Sequence, residues 1–390
     1  MGKMASGFRA KKILAVVFLL SLTGMAELFA FDIITFTAPQ LSGDHPNRGQ
    51  IQNELNRIVS VEKARYQELV DGIDPNPQKL IGAFATSSVF SSTGASLRTF
   101  QGYNTFALTV GAMAGIQLPV SINYIFRDME YIGDKLFNDM NTDGDLRIGM
   151  NPQMINAQLG INTSGFLLKG LYVGLKGGYI RLPSLNLDGL QMAFRTWSIG
   201  GMINYQLFPQ IRMPGGIIVW RGINLGTGFI YQNTSFAMDV PLIPEGGLSS
   251  DLVNIGGTGV DLDLGDPKLN FRFGVNTYTV PLEVVTSVRL LGFANFSFGA
   301  GADFGFGGAN MEGSIKSEIN LKNLPDGLIQ SQPGRISVSI GGPGSPTLIN
   351  PKIMTSFAFS AGPAIILDIP FTYYFLNEGY NIGVTVGVAL

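Results

Sequence analysis

An all-β fold, an antiparallel transmembrane β-barrel of roughly 12–14 strands behind an N-terminal helical segment, is what this sequence predicts. Three observations predict it: a period of two in the apolar residues from Asn104 to the chain end, a scarcity of charge, and an export signal at the N-terminus. The period is clearest in the last strand. Tyr380, Ile382, Val384, Val386, Val388 and Leu390 fall on one parity, and Asn381, Gly383, Thr385, Gly387 and Ala389 on the other. Alternation of this kind marks a strand with one apolar and one small or polar face. Chain ends fray in water. A strand that stays apolar to its last residue therefore needs a neighbouring strand at its edge and an apolar medium against its face. A barrel closed in lipid supplies both. An inner strand of a soluble sandwich is the competing explanation.

Charged residues make up 14% of the 390, against roughly 25% in soluble proteins. Glycine is abundant, at 51 residues, and Phe and Tyr far outnumber Trp. A net charge of −2 lacks the basic footprint that a nucleic-acid partner requires. The absence of cysteine excludes disulfides, thiolate metal sites, a cysteine nucleophile and a lipid anchor on cysteine.

Residues 1–30 read as a cleaved signal peptide. Lys3, Arg9, Lys11 and Lys12 precede the short apolar core Ile13 to Leu22, and Ala30 offers a small residue before Phe31. The core is too short for a retained membrane helix. Residues 31–103 form the N-terminal helical and loop segment. Within it Ile51, Leu55, Ile58, Val59, Tyr66, Leu69 and Val70 share a face and predict one amphipathic helix over 51–70, ended by Asp71-Gly72. That helix is expected to plug a lumen or to lie in the periplasm.

Residues 104–390 form the transmembrane barrel. Phe106 to Phe126 carries no charge, yet its alternation, its glycines and Pro119 suit strands better than a membrane helix. Further dyad runs start near Ile155, Leu171, Trp197, Ile217, Leu269, Leu282, Phe296, Ile315, Ile336 and Ile353. Polar connections are expected at 127–150, 233–267 and 322–334.

Carried by these dyad strands and the terminal Tyr380 to Leu390 strand, the chain resembles Gram-negative or spirochaete outer-membrane β-barrels. The resemblance implies a place in the bacterial outer membrane, contact with its lipid, and recognition of the last strand by the barrel-assembly machinery. The terminal residue here is Leu390, where that signal usually has an aromatic residue. A helical segment ahead of such a barrel also resembles the long-chain fatty acid transporter family. That resemblance implies a luminal plug and a hydrophobic or small-molecule solute. The Asn-Pro-Ala or Asn-Pro-Gly element associated with the family is absent near the mature N-terminus.

Two sets of residues are candidates for chemistry. Asp139, Asn141, Asp143 and Asp145, with Gly144 at the sixth position, resemble the start of a calcium loop. Met150 stands where a closing glutamate belongs, so a polar surface loop explains them as well. On the parity assigned to the lumen stand Lys176, Arg272, Arg289 and Asp303. They either select solutes or pair with one another to stabilise the wall. The acidic residues Asp261, Asp263 and Asp266 read as a solvated loop. The single histidine, His45, has no nucleophile or orienting acid beside it in sequence, and no enzyme is expected. The glycines at 299–308 lack the Lys-Ser/Thr of a phosphate loop. The expected function is a channel or transporter for small or hydrophobic solutes. The alternative is a structural or adhesin-like barrel that acts through its exposed loops.

Overall fold

A computed structural model describes residues 31–71, 77–93, 103, 105–117, 149–187, 190–241, 253–255, 258–264, 268–322, 324–361 and 365–390. Residues 1–30, expected to be a signal peptide, and the candidate calcium residues 139–145 lie outside the described residues. The N-terminal segment contains β1 (Phe31–Thr37), β2 (Gln40–Ser42), α1 (Arg48–Asp71) and α2 (Pro77–Thr93). Next come β3 (Phe106–Gln117), β4 (Gly149–Asn162), β5 (Leu171–Leu187), β6 (Leu190–Phe208), β7 (Ile211–Arg212) and β8 (Ile218–Pro241). After β9 (Val253–Ile255) and β10 (Thr258–Leu264) come β11 (Lys268–Leu290), β12 (Ala294–Lys322), β13 (Ile329–Gln332) and β14 (Gly334–Gly344). The chain ends with β15 (Ile349–Ala361), β16 (Ile365–Tyr374) and β17 (Gly379–Ala389).

Ten strands close a ring in the order β12-β11-β8-β6-β5-β4-β3-β17-β16-β15, and β15 returns to β12. Every pairing in the ring is antiparallel. The last strand closes on the first, with Tyr380 opposite Ile116 and Val388 opposite Leu108. Closure leaves the ring without an edge. In β17, Ile382, Val384 and Val386 are 50–54% exposed on the outside, whereas Asn381 and Thr385 are buried in the lumen. The same inversion runs around the ring, polar within and apolar without, as expected where lipid is the outer solvent.

The ring has fewer strands than the roughly 12–14 expected from bilayer-length segments. The runs near Leu269 and Leu282 are one strand, β11, and those near Phe296 and Ile315 are another, β12. Both overshoot the membrane. On their outer face the apolar residues give way to polar ones without a break in pairing. Tyr231, Tyr278 and Phe306 stand abreast in register. The Trp197 and Tyr231 rings meet edge to face at 5.1 Å, and Tyr231 and Tyr278 lie 5.1 Å apart. These form an aromatic girdle. Beyond it the outer residues of β11 and β12 become Asn276, Arg272, Asn310, Glu312 and Lys316. At the other mouth Phe166, Phe208 and Phe293 are exposed. Tyr278 to Leu290, at about 3.4 Å per residue and a tilt of about 40°, rises roughly 30 Å, the thickness of a hydrocarbon core.

The two mouths differ. One carries the short turns 163–170, 209–217 and 291–293 and the chain end, where the Thr105 N–H donates to the Leu390 carbonyl at 2.7 Å. At the other, β5, β6, β8, β11 and β12 continue past the girdle as a wall. Residues 233–241, expected in a loop, are part of β8 in this wall. β14 and β15 lie end to end along β12, facing Ala309–Ile319 and Ala294–Phe304 respectively. β1 adds to β14, so the N-terminal segment shares the barrel sheet.

The helix expected over 51–70 spans 48–71 and is not the plug. Its Ile51 and Leu55 are buried against Leu321 and Leu328, with Ala38, Leu41 and Leu324 around them, which fixes it to the wall. The plug is α2, which the sequence reading missed. None of the helices among the described residues is long and apolar enough to cross a membrane.

Candidate functional site: the sealed lumen

Helix α2 fills the lumen, touching β3, β4, β8, β11, β12, β14 and β17. Its sequence, PQKLIGAFATSSVFSST, explains both its shape and why it was missed. Pro77 opens it, at a position where the missing N–H costs nothing. Ser and Thr then crowd the body, and these residues are weak helix formers because their hydroxyls compete for backbone groups. Here they do so without breaking the helix: Ser91 Oγ donates to the Ser88 carbonyl and Ser92 Oγ to the Val89 carbonyl. No amphipathic stripe appears because every side is enclosed. Residues 85–93 are all buried.

The seal is polar on the side where the wall is polar. The Gln232 amide donates to Ser88 Oγ at 2.8 Å and to Ser91 Oγ at 2.9 Å. Its carbonyl oxygen accepts from Gln153, whose own carbonyl accepts from Asn156, each at 2.6 Å. The Ser88 and Thr277 hydroxyls are 3.1 Å apart, as are those of Ser92 and Thr279. A buried hydroxyl left without a partner costs roughly 1–3 kcal/mol, so these matched pairs select one seating of the helix. Where the helix backbone approaches most closely, the wall is bare. A Cβ on Gly115 would stand 2.5 Å from the Ser91 nitrogen, and one on Gly379 would overlap the Phe90 ring.

At the inner end of α2 the seal becomes ionic. Lys352 Nζ donates to Glu283 Oε1 at 2.5 Å and Asp303 Oδ1 at 2.6 Å. The other Asp303 oxygen accepts from the Thr93 hydroxyl and from Tyr374, both at 2.8 Å. Tyr374 stacks on Phe90 at 3.9 Å, and the Asn381 amide donates to the Phe90 carbonyl. Lys176, also buried, lies in the field of the same two carboxylates. Desolvating such charges costs several kcal/mol each. They persist because each carboxylate is paired, and Thr93 ties the plug into the pairing.

Of the four charges expected in the lumen, Lys176 and Asp303 are buried in this cluster. Arg289 is half-buried on the inner parity near the short-turn mouth, apart from it. Arg272 is on the outer face. It is exposed, and with Asn270, Glu312, Ser314 and Lys316 it lines a shallow hollow of about 210 Å³ on the wall. The assignment failed because Arg272 lies beyond the girdle, where a charge on the outer parity meets water. Glu283, Lys352 and Tyr374 were missed. The signal for Glu283 and Lys352 was a charge within an otherwise apolar, bilayer-length strand, Leu282-Glu283-Val284 above all; Tyr374 carried none. Asp139, Asn141, Asp143 and Asp145 lie outside the described residues. Among the described residues no group of three or more His, Asp or Glu side chains is placed to hold a metal.

An edgeless antiparallel ring, an apolar outer belt between aromatic girdles and a polar interior define a bacterial outer-membrane β-barrel. Within that class, the chain belongs to the Lsa36-like family, whose family model matches residues 43–390. No curated protein matches the chain. Among solved structures it is similar to the translocator domain of the autotransporter NalP from Neisseria meningitidis, at 10% identity and TM-score 0.31, over 78% of this chain and 91% of that one. It is also similar to the CymD monoaromatic hydrocarbon channel, at 9% identity and TM-score 0.24, over 79% and 97% of the two chains. The toluene transporter TodX of Pseudomonas putida matches at 9% identity and TM-score 0.23, over 80% and 96%.

Proposed function

We propose that this protein is a sealed outer-membrane barrel that acts through the strand wall at the mouth opposite its short turns, as a surface-interaction barrel and not as an open channel. The observation that carries the reading is α2, seated in the lumen by hydrogen bonds to Gln232, Thr277, Thr279, Asp303 and Tyr374. In barrels of this class the short turns face the periplasm and the longer extensions face outward. That orientation puts the charged wall, with Arg272, Glu312 and Lys316, outside the cell.

The test is conductance in a planar bilayer. The full-length protein is expected to stay silent, and removal of residues 77–93 is expected to open discrete conductance steps. Steady steps from the full-length protein would overturn the sealed reading. A second reading, a plug-gated transporter for small or hydrophobic solutes, is favoured by the hydroxyl and amide bonds that hold α2, which can exchange for water in a way apolar packing cannot. Uptake of such a solute by cells, lost when α2 is cross-linked to the wall, would decide for it.

A further inference from the structure

The N-terminal segment and the start of the first barrel strand stand at opposite mouths. β1 pairs with β14, and α1 packs on Leu321 and Leu328, both at the wall. α2 enters at that mouth, where Ile81 lies against Gly344 and Ala83 against Gly149. By Thr93 it has reached Asp303 and Tyr374, inside the ring. Tyr103 is already at the short-turn mouth, buried with Ala107 and Tyr172 against Ala389, and the next described residue, Thr105, bonds to Leu390.

Chain length limits how the two described ends can be joined. The step from Thr93 to Tyr103 reaches at most about 35 Å. That suffices to finish the descent through the lumen. A path that climbed back out along α2, over the wall and down the outer face would exceed roughly 60 Å and would drag polar backbone through lipid. With Thr93 inside the ring and Tyr103 at the opposite mouth, everything before α2 lies on the wall side.

We infer that the barrel carries its own N-terminal segment across the membrane: residues 31–71 pass through the lumen to the wall side and remain there, and α2 is the trailing leg that stays in the pore as its seal. The inference rests on the orientation given under the proposed function. Composition divides accordingly. The transit leg is rich in Ser and Thr and matches a polar lumen side chain for side chain, which a periplasmic helix would not need. The delivered part has an apolar face, Ile51 and Leu55, that is buried only at the wall. The displayed surface adds α1, with the exposed Asn53, Asn56 and Arg57, to the wall.

The chain contains no cysteine, so single cysteines can be placed without background. Asn53→Cys in α1, Glu318→Cys on the wall and Lys169→Cys in a short turn each replace an exposed residue. Intact cells are treated with a membrane-impermeant maleimide and compared with lysed cells, each variant being checked for the heat-modifiable folded form. Expected is labelling of Asn53→Cys and Glu318→Cys in intact cells close to the lysed level, with Lys169→Cys at least tenfold lower until lysis. Labelling of Glu318→Cys without Asn53→Cys would overturn the inference and leave the orientation standing. Labelling of Lys169→Cys alone would overturn both. The route itself is read by the pair Ser88→Cys and Thr277→Cys, whose parent hydroxyls are 3.1 Å apart. Oxidation should cross-link this pair in the cell, and failure to cross-link in folded protein would overturn the passage through the lumen.

Discussion

Two ion pairs in this protein show how far environment outweighs contact distance. Arg57 Nη2 lies 2.6 Å from Glu54 Oε1 on the open face of α1. The hydrogen bond from Arg57 lowers the Glu54 carboxyl below its usual range, yet the pair is solvated and screened. Any stability from it is present above the ordinary glutamate range and fades as pH falls through the lowered value. Glu54→Gln is expected to leave the denaturation midpoint unchanged at neutral pH. Lys352, at 2.6 Å from Asp303, is in the opposite position, fully enclosed and bonded to two carboxylates. Lys352→Met would strip Glu283 and Asp303 of the one amine bonded to both, a loss of about 3–5 kcal/mol. Denaturant unfolding in detergent should show that loss, and the triple change Lys352→Met, Glu283→Gln, Asp303→Asn should recover most of it. An undiminished midpoint for Lys352→Met would mean that the cluster does not hold the wall together.

At the scale of elements, the two helices divide the work by the medium each one meets. α1 has an apolar stripe because one side faces the wall and the other water. Its hold depends on a small cluster, so Leu55→Ala is expected to cost about 2–5 kcal/mol of docking. Tryptic cleavage at Arg57 of the folded protein should then speed up at least tenfold, while the barrel keeps its heat-modifiable mobility. Loss of that mobility would show α1 and the barrel to be one cooperative unit. α2 has no stripe because a polar lumen surrounds it, and its stability comes from matched hydroxyls and close approach to Gly115 and Gly379. The same contrast explains which helix was legible. A period of 3.6 in apolar residues reveals α1. The Ser/Thr run of α2 reads as a weak or absent helix until the Gln232, Thr277 and Thr279 side chains are placed around it.

At the scale of the whole molecule, the girdle through Tyr231, Tyr278 and Phe306 divides lipid from water on strands that cross it unbroken. Two outward positions of β11 test that boundary. Val284 lies near the middle of the apolar belt, and Gly274 lies beyond the girdle with open space where a side chain would project. Val284→Arg is expected to cost about 2–4 kcal/mol in a bilayer. Gly274→Arg is expected to cost close to nothing. Reversible unfolding in vesicles reads both, and equal costs would move the membrane boundary from the girdle.

The alternation of Tyr380 to Leu390 and of the strands before it determined by itself that the chain is built of two-faced strands and made a barrel in lipid the expected fold, because period-two patterning reports which side of a strand meets which medium; closure of the ring came from the pairing. The same pattern placed Lys176 and Asp303 on the inner side. It could not supply strand number, since alternation continues through β11 and β12 whether their outer face is bathed in lipid or in water. For that reason Arg272 was assigned to the lumen. Pairing register decided those points, and only the closed ring brings Lys352 from β15 to Asp303 from β12 and Glu283 from β11. The seating of α2 also waited for the tertiary structure. A helix whose partners are contributed by seven different strands has no local signal of its own, because the polar groups that stabilise it are distant in sequence and meet only when the ring closes around it.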